Sequence, residues 1–250
     1  MSSACGILLL FATVLAEPSA HLNNGVDNRV HLPQQCAIGA VSSRFSYNPL
    51  ADDGYAVSID FSNSVTPALL GVPYWESSEY VLSTLHFHAG NGTGHGSEHV
   101  VDNVGYDAEL HLVHYKREYG TVAEAVKRHD GLAVVGIFLK VSHLSPNAEL
   151  NRLIRVCGLA GGNKRPFSVD PRQLFPWQKD FYAYHGSLTT PPCSESVRWI
   201  VMKDPIYITR DKLLILQSSR MSDGSYLGQH SNVRPVVPRA GRQVEANFHC

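Results

Sequence analysis

The sequence predicts a mainly β fold in a single domain. Strand-like runs recur between Pro and Gly clusters, and helical signals are few and short. No internal repeat, low-complexity tract or linker divides the 250 residues. A chain of that length with 44% apolar residues can bury one large core, and all-β domains of this size often stay single.

The elements follow in chain order. Residues 1–16 end in an apolar run from Ile7 to Ala16, followed by small residues. It is far shorter than the ~20 residues that span a bilayer, so it reads as a signal peptide cleaved near Ala16 or Ala20. Residues 21–52 carry turn formers (Asn23-Asn24-Gly25, Asn48-Pro49) and little periodicity, and are expected to form an irregular N-terminal arm ahead of a domain spanning 53–250. Strands are predicted at Tyr55–Phe61, Tyr80–His88 and Ala108–Tyr115, which alternate in part, and at the apolar runs Leu132–Val141 and Val197–Met202. Helices are predicted at 121–128, 146–156 and 210–217, the last opened by Thr209 as N-cap.

Charge and hydropathy exclude several classes. The net charge is −1 and the Lys and Arg residues are scattered, which gives no footprint for nucleic acid or an anionic membrane. No later stretch approaches transmembrane length, and Val244–Cys250 offers no hydrophobic tail for a lipid anchor, so a secreted, extracellular protein without a membrane anchor is expected. The oligomeric state stays open. Loss of Cys5 with the signal leaves Cys36, Cys157, Cys193 and Cys250, for which three pairings are possible, as is one disulfide with two free thiols. The N-glycosylation sequon is Asn91-Gly92-Thr93, in a Gly-rich loop.

The chemistry concentrates in three histidines. In His86-Phe87-His88 the two imidazoles project from one face of a strand, because successive side chains alternate. On the next run Glu109, His111 and Val113 share a face, opposite Leu110, Leu112 and His114. If the two strands are neighbours, His86, His88 and His111 converge. Three neutral nitrogen ligands suit Zn²⁺ and leave its fourth tetrahedral position open to water, the mark of a catalytic site. With 13 histidines in the chain, His-x-His alone is a weak signal. Glu109 strengthens it, since ligand histidines usually donate their other N–H to a carboxylate or carbonyl. His95, His99, His114 and His129 lack this geometry and read as surface or satisfied core residues.

These residues resemble the α-carbonic anhydrase family. The resemblance rests on His86-Phe-His88, Gly96-Ser-Glu-His99, Ala108-Glu-Leu-His111-Leu-Val-His114, Tyr184-His-Gly-Ser-Leu-Thr-Thr-Pro-Pro-Cys193, Asn232-Val-Arg-Pro235 and Gly241-Arg-Gln243. It runs from about Asp53 to Phe248. It implies a twisted, largely antiparallel central sheet, zinc held by His86, His88 and His111, and reversible hydration of carbon dioxide to bicarbonate. It also implies that Thr189 donates a hydrogen bond to Glu98 and accepts one from the metal-activated water. Glu109 then supports His111. Val113, Val134, Leu188 and Trp199 form an apolar wall for carbon dioxide, with Thr189 and Thr190 beside it. Cys193 matches the cysteine that secreted members join to one near the N-terminus, here Cys36.

The chain departs from the family pattern in three places. Tyr55 stands where a proton-shuttling histidine is usual; with a pKa of about 10 a phenol relays protons poorly at neutral pH. Thr84 replaces the Gln that ordinarily supports His86, and Ala89 replaces a Trp. No Trp precedes Trp75, and only eighteen residues separate Cys36 from Tyr55, too few for the family's Ser-Pro-Ile strand. The competing reading is a zinc-containing binding or matrix protein of the same fold with weak or no turnover. Inactive relatives typically lack a ligand histidine, and all three are present here. A zinc peptidase would need a His-Glu-x-x-His helix, which the sequence lacks.

Overall fold

The computed structural model describes residues 11–12, 58–61, 68–158, 169–219, 226–237, 239 and 241–248. A minor pair joins β1 (Phe11–Ala12) in parallel to β5 (Val100–Val101). Everything else hangs on one nine-stranded sheet. Its members are β2 (Ser58–Asp60), β3 (Ala68–Leu69), β4 (Tyr80–Ala89), β6 (Ala108–Lys116), β7 (Leu132–Val141), β8 (Phe181–Gly186), β9 (Val197–Met202), β10 (Ile206–Ile208) and β11 (Val244–Ala246). The lateral order is β11-β8-β9-β7-β6-β4-β2, with β3 also on β4 and β10 on β7. Neighbours are antiparallel except for β9 and β10 beside β7.

The strands form where β-branched and aromatic residues crowd between turns. In β4, β6, β7 and β9 the apolar runs are buried on both faces, which is why their alternation is weak in the sequence. β8 escaped sequence reading because Phe-Tyr-Ala-Tyr-His-Gly has neither clean alternation nor an aliphatic run. β10 and β11 are three residues each, below the length at which a period can be read. Tyr55 lies outside the described residues, as do Cys36, Cys250, the whole arm at 21–52 and the segment at 1–16 apart from Phe11 and Ala12.

Among the described residues four α-helices sit at the periphery: α1 (Val122–Ala125), α2 (Ala148–Gly158), α3 (Arg210–Gln217) and α4 (Leu227–His230). Leu150, Leu153, Ile154 and Cys157 repeat at helical spacing along α2 and are buried in the larger core. Each such Leu or Ile contributes about 2 kcal/mol of hydrophobic stabilisation. Asn147 starts α2, its Oδ1 accepting from Leu150 N–H at 2.8 Å, and Thr121 Oγ1 does the same for Glu124 N–H at 3.2 Å in α1. Thr209 holds the N-cap backbone conformation of α3 but makes no side-chain cap; Asp211 engages its hydroxyl instead. No helix among the described residues is long and apolar enough to cross a membrane.

The sheet separates two apolar clusters. The larger packs under α2 and α3 and includes Leu85, Leu110, Val135 and Ile200. The smaller, on the other face, includes Val113, Val134, Tyr184 and Trp199, with Leu188 packed against it. Strand alternation sends neighbours to opposite clusters, as in Leu112 and Val113 or Val134 and Val135. The buried polar residues Glu109 and His111 interrupt β6 on the face of the smaller cluster.

Candidate metal centre

β4 and β6 are antiparallel neighbours, and their register sets His86 directly opposite His111, with His88 opposite Glu109. A register shift between Leu82 and Thr84 precedes the histidines, so they share one uninterrupted ladder. The three rings gather with centroids 4.5 to 5.1 Å apart. One nitrogen from each of His86, His88 and His111 lies within 4.8 Å of the others.

The partners of two of these rings decide which nitrogen faces the centre. His88 Nδ1 lies 3.0 Å from the carbonyl oxygen of Asn232. A carbonyl only accepts, so Nδ1 carries the proton and Nε2 keeps its lone pair. His111 Nε2 is 2.9 Å from Glu109 Oε1, which places the proton on Nε2 and the lone pair on Nδ1. Burial, and then the neighbouring histidines, hold His86 well below the usual imidazole range; burial and His88 lower His111. Neutral imidazoles with lone pairs aimed inward are the state that metal ligation requires. His88 Nε2 has no hydrogen-bond partner among the described residues, and neither has Glu98 Oε2, which lies 3.4 Å away. A buried acceptor nitrogen beside a buried acceptor oxygen is costly unless a cation or proton lies between them. This donor set fits a Zn²⁺ ion.

Glu109 is the centre's anchor. Its Oε2 accepts from the backbone N–H groups of Glu98 and His99, each at 2.9 Å, and its Oε1 from His111 and from His99 Nδ1 at 2.5 Å. Burial alone would raise its pKa, but the two histidines outweigh that and hold it well below the usual carboxylate range. His99 Nε2 in turn accepts from the Tyr184 hydroxyl at 2.6 Å, and burial pushes that phenol well above its ordinary value. Gly136 faces His111 from β7, where a Cβ would stand 2.7 Å from Glu109 Oε1. A side chain at 136 would push this carboxylate out of its place.

The remaining predicted residues divide into those that meet here and those that do not. Val113, Val134 and Trp199 lie in one cross-strand row on β6, β7 and β9, and the Trp199 ring is 4.8 Å from that of His111. Leu188 packs against the same cluster. Thr189 and Thr190 are half-buried in the loop after β8. No Thr189–Glu98 hydrogen bond is formed: Glu98 Oε1 accepts from Arg234 N–H at 3.1 Å, and Oε2 turns to His88. Thr84 shares the face of His86 but does not hydrogen-bond it, and no other described residue does. Asn91 is exposed in a loop held by Gln217, whose amide donates to the Gly90 and Gly92 carbonyls. Cys193 is half-buried.

Asn232, His99, Tyr184 and Gly136 were missed by residue-level reasoning. Asn232 reaches His88 through its backbone carbonyl, while its side-chain amide brackets the end of β4, accepting from Ala89 N–H and donating to Phe87 O. A backbone contact across 144 positions leaves no trace in composition. His99 is a satisfied core histidine, yet it shares its carboxylate with His111. A chance to see this lay in the short separation of His99 from Glu109.

Residues 30–248 match the model of a family described as eukaryotic-type carbonic anhydrase, a match that begins well before Asp53. Among curated proteins, the chain is 38% identical to "Carbonic anhydrase 3" of Mus musculus over 214 residues, covering 81% of each. It has the same identity and coverage with the Rattus norvegicus protein of that name. With the Homo sapiens protein it is 41% identical over 174 residues, 68% of this chain and 66% of the relative.

Proposed function

The chain belongs to the eukaryotic-type carbonic anhydrase family, and from that premise we propose a zinc-dependent, secreted enzyme that reversibly hydrates carbon dioxide to bicarbonate and a proton. Membership makes it a carbonic anhydrase enzyme acting on a small molecule. The zinc dependence, the residue roles and the location are the proposal. What carries it is the convergence of His86, His88 and His111, two with their outer nitrogens already held.

In this reading the three imidazoles hold one Zn²⁺. When bound, the ion supplies Lewis acidity that makes water a nucleophile near neutral pH, carbonic anhydrases being the standing example of that effect. Asn232 and Glu109 fix the tautomers of His88 and His111, so the centre costs little reorganisation on loading. Carbon dioxide has no strong hydrogen-bonding group and rests on the apolar wall of Val113, Val134, Leu188 and Trp199. Glu98 supplies a buried, acceptor-only oxygen without a hydrogen-bond partner among the described residues. A Thr189 hydroxyl brought to it must donate, which leaves the Thr189 lone pairs to accept from the attacking water and orient it. Thr190 contacts bicarbonate, and Tyr55 takes the place of the proton-relaying residue in the sequence.

Secretion is supported by the apolar run at Ile7–Ala16 and by the exposed sequon at Asn91. In a secretory compartment Cys36 and Cys193 form a disulfide. Stopped-flow hydration on the purified protein tests the activity: chelator treatment is expected to abolish it and added zinc to restore it. Hydration that survives complete metal removal would overturn the reading.

A further inference from the structure

On the face of β8 and β9 turned away from the histidines, His185 and Arg198 stand opposite each other in register. Their neighbours Tyr184 and Trp199 point the other way, into the cluster beside the metal centre. Arg198 is only 1% exposed. Its Nη2 donates to Glu245 Oε2 on β11 at 2.7 Å, and its guanidinium lies 4.4 Å from the centre of the Tyr74 ring. Its Nε has no hydrogen-bond partner among the described residues. Adjoining it is a cavity of about 340 Å³ lined by Tyr74, His185, Arg198, Arg242, Gln243 and Glu245.

A guanidinium can only donate, and it recognises oxyanions through pairs of parallel N–H···O bonds. Glu245 satisfies one donor of Arg198 and leaves the buried Nε bare. Buried donors without acceptors are rare and mark places where an acceptor is missing. Arg198 lines the cavity, and so does Arg242, whose Nε donates to the Arg239 carbonyl at 2.9 Å, so an acceptor seated there meets both residues. Glu76 acts on Arg198 through space only; its carboxylate accepts from Tyr74 N–H at 3.1 Å. The Tyr74 ring stacks over the Arg198 guanidinium and fixes its plane.

We propose that this cavity is a binding site for a small oxyanion of the carboxylate or phosphate class, held by Arg198 and Arg242 on the side of the sheet opposite the metal centre. Glu245 is the internal competitor for one edge of Arg198, so removing its charge frees that edge for the ligand.

Calorimetric titration of the zinc-loaded full chain with inorganic phosphate and, separately, with acetate tests this. Saturable binding of either probe is expected, phosphate alone indicating the phosphate class and both indicating oxyanions in general. Arg198→Met is expected to abolish it, and Glu245→Gln to tighten it about fivefold. His88→Ala, which disturbs the metal centre, is expected to leave it in place. Absence of saturable binding by both probes, retention in Arg198→Met, or loss in His88→Ala would overturn the proposal. If Arg198→Met does not fold, Glu245→Gln carries the test, and an unchanged or weaker affinity in that variant overturns it.

Discussion

At the scale of single residues, the three candidate ligand histidines differ in how firmly they are held. His88 and His111 each have an outer nitrogen engaged, by Asn232 and Glu109, whereas His86 has none among the described residues. Thr84→Gln, which offers an amide from the same strand face, is therefore expected to tighten zinc binding in competition with a chromophoric chelator. An unchanged affinity would show that His86 needs no such support. Tyr55, the proposed proton relay, bears on a different quantity. A phenol with a pKa near ~10 stays protonated at neutral pH, so Tyr55→His should raise kcat while leaving kcat/KM nearly unchanged; indifference of kcat to both this change and imidazole buffer would remove Tyr55 from the pathway. His114 bears on stability. Burial pushes its pKa down to about 4, against the opposing hydrogen bond to Ala133 O at 3.3 Å. Folded His114 stays neutral where the unfolded imidazole takes a proton, so this stabilisation is full above the ordinary value of about 6.5 and is lost as pH falls toward 4. Urea melts should show His114→Asn losing about 2 kcal/mol less than the parent between pH 7 and pH 5. Equal losses would contradict the burial argument. Much of this layer was legible in the sequence, because His-x-His spacing and strand alternation fix where side chains point. The carbonyl of Asn232 was not, since any residue type can supply a backbone acceptor.

At the scale of elements, the centre depends on the ladder β4-β6-β7. β4 and β6 set His86 against His111, and β7 contributes an absence, the missing side chain of Gly136. Gly136→Ala would place a methyl 2.7 Å from Glu109 Oε1 and displace the carboxylate that holds both His99 and His111. A destabilisation of about 2 kcal/mol is expected from overpacking, together with weaker zinc retention. A variant with normal melting temperature and normal zinc affinity would show that the strand yields without cost. The long strands and α2 were readable because their apolar residues are many and regularly spaced. β8 and β11 were not, although they carry Tyr184 and Glu245. Their burial comes from neighbours distant in the chain, which local periodicity cannot report.

At the scale of the whole molecule, one sheet keeps two faces apart. One packs α2 and α3 over the larger core, and the other holds the candidate metal centre beside the smaller apolar cluster. A Cys36–Cys193 disulfide would tie the N-terminal arm to the loop that bears Thr189 and Thr190. On the chain-entropy model, closing so long a loop contributes roughly 4–5 kcal/mol. Non-reducing peptide mapping of secreted material should recover the Cys36–Cys193 linkage; Cys193 joined to Cys157 or Cys250 would refute it. The central claim, that His86, His88 and His111 together hold the metal on which the chemistry depends, is tested most directly by metal analysis of the purified chain and its His111→Ala variant. The account predicts one zinc per chain in the parent, and loss of both zinc and carbon dioxide hydration in the variant. A His111→Ala protein that keeps full zinc and full rate would contradict it.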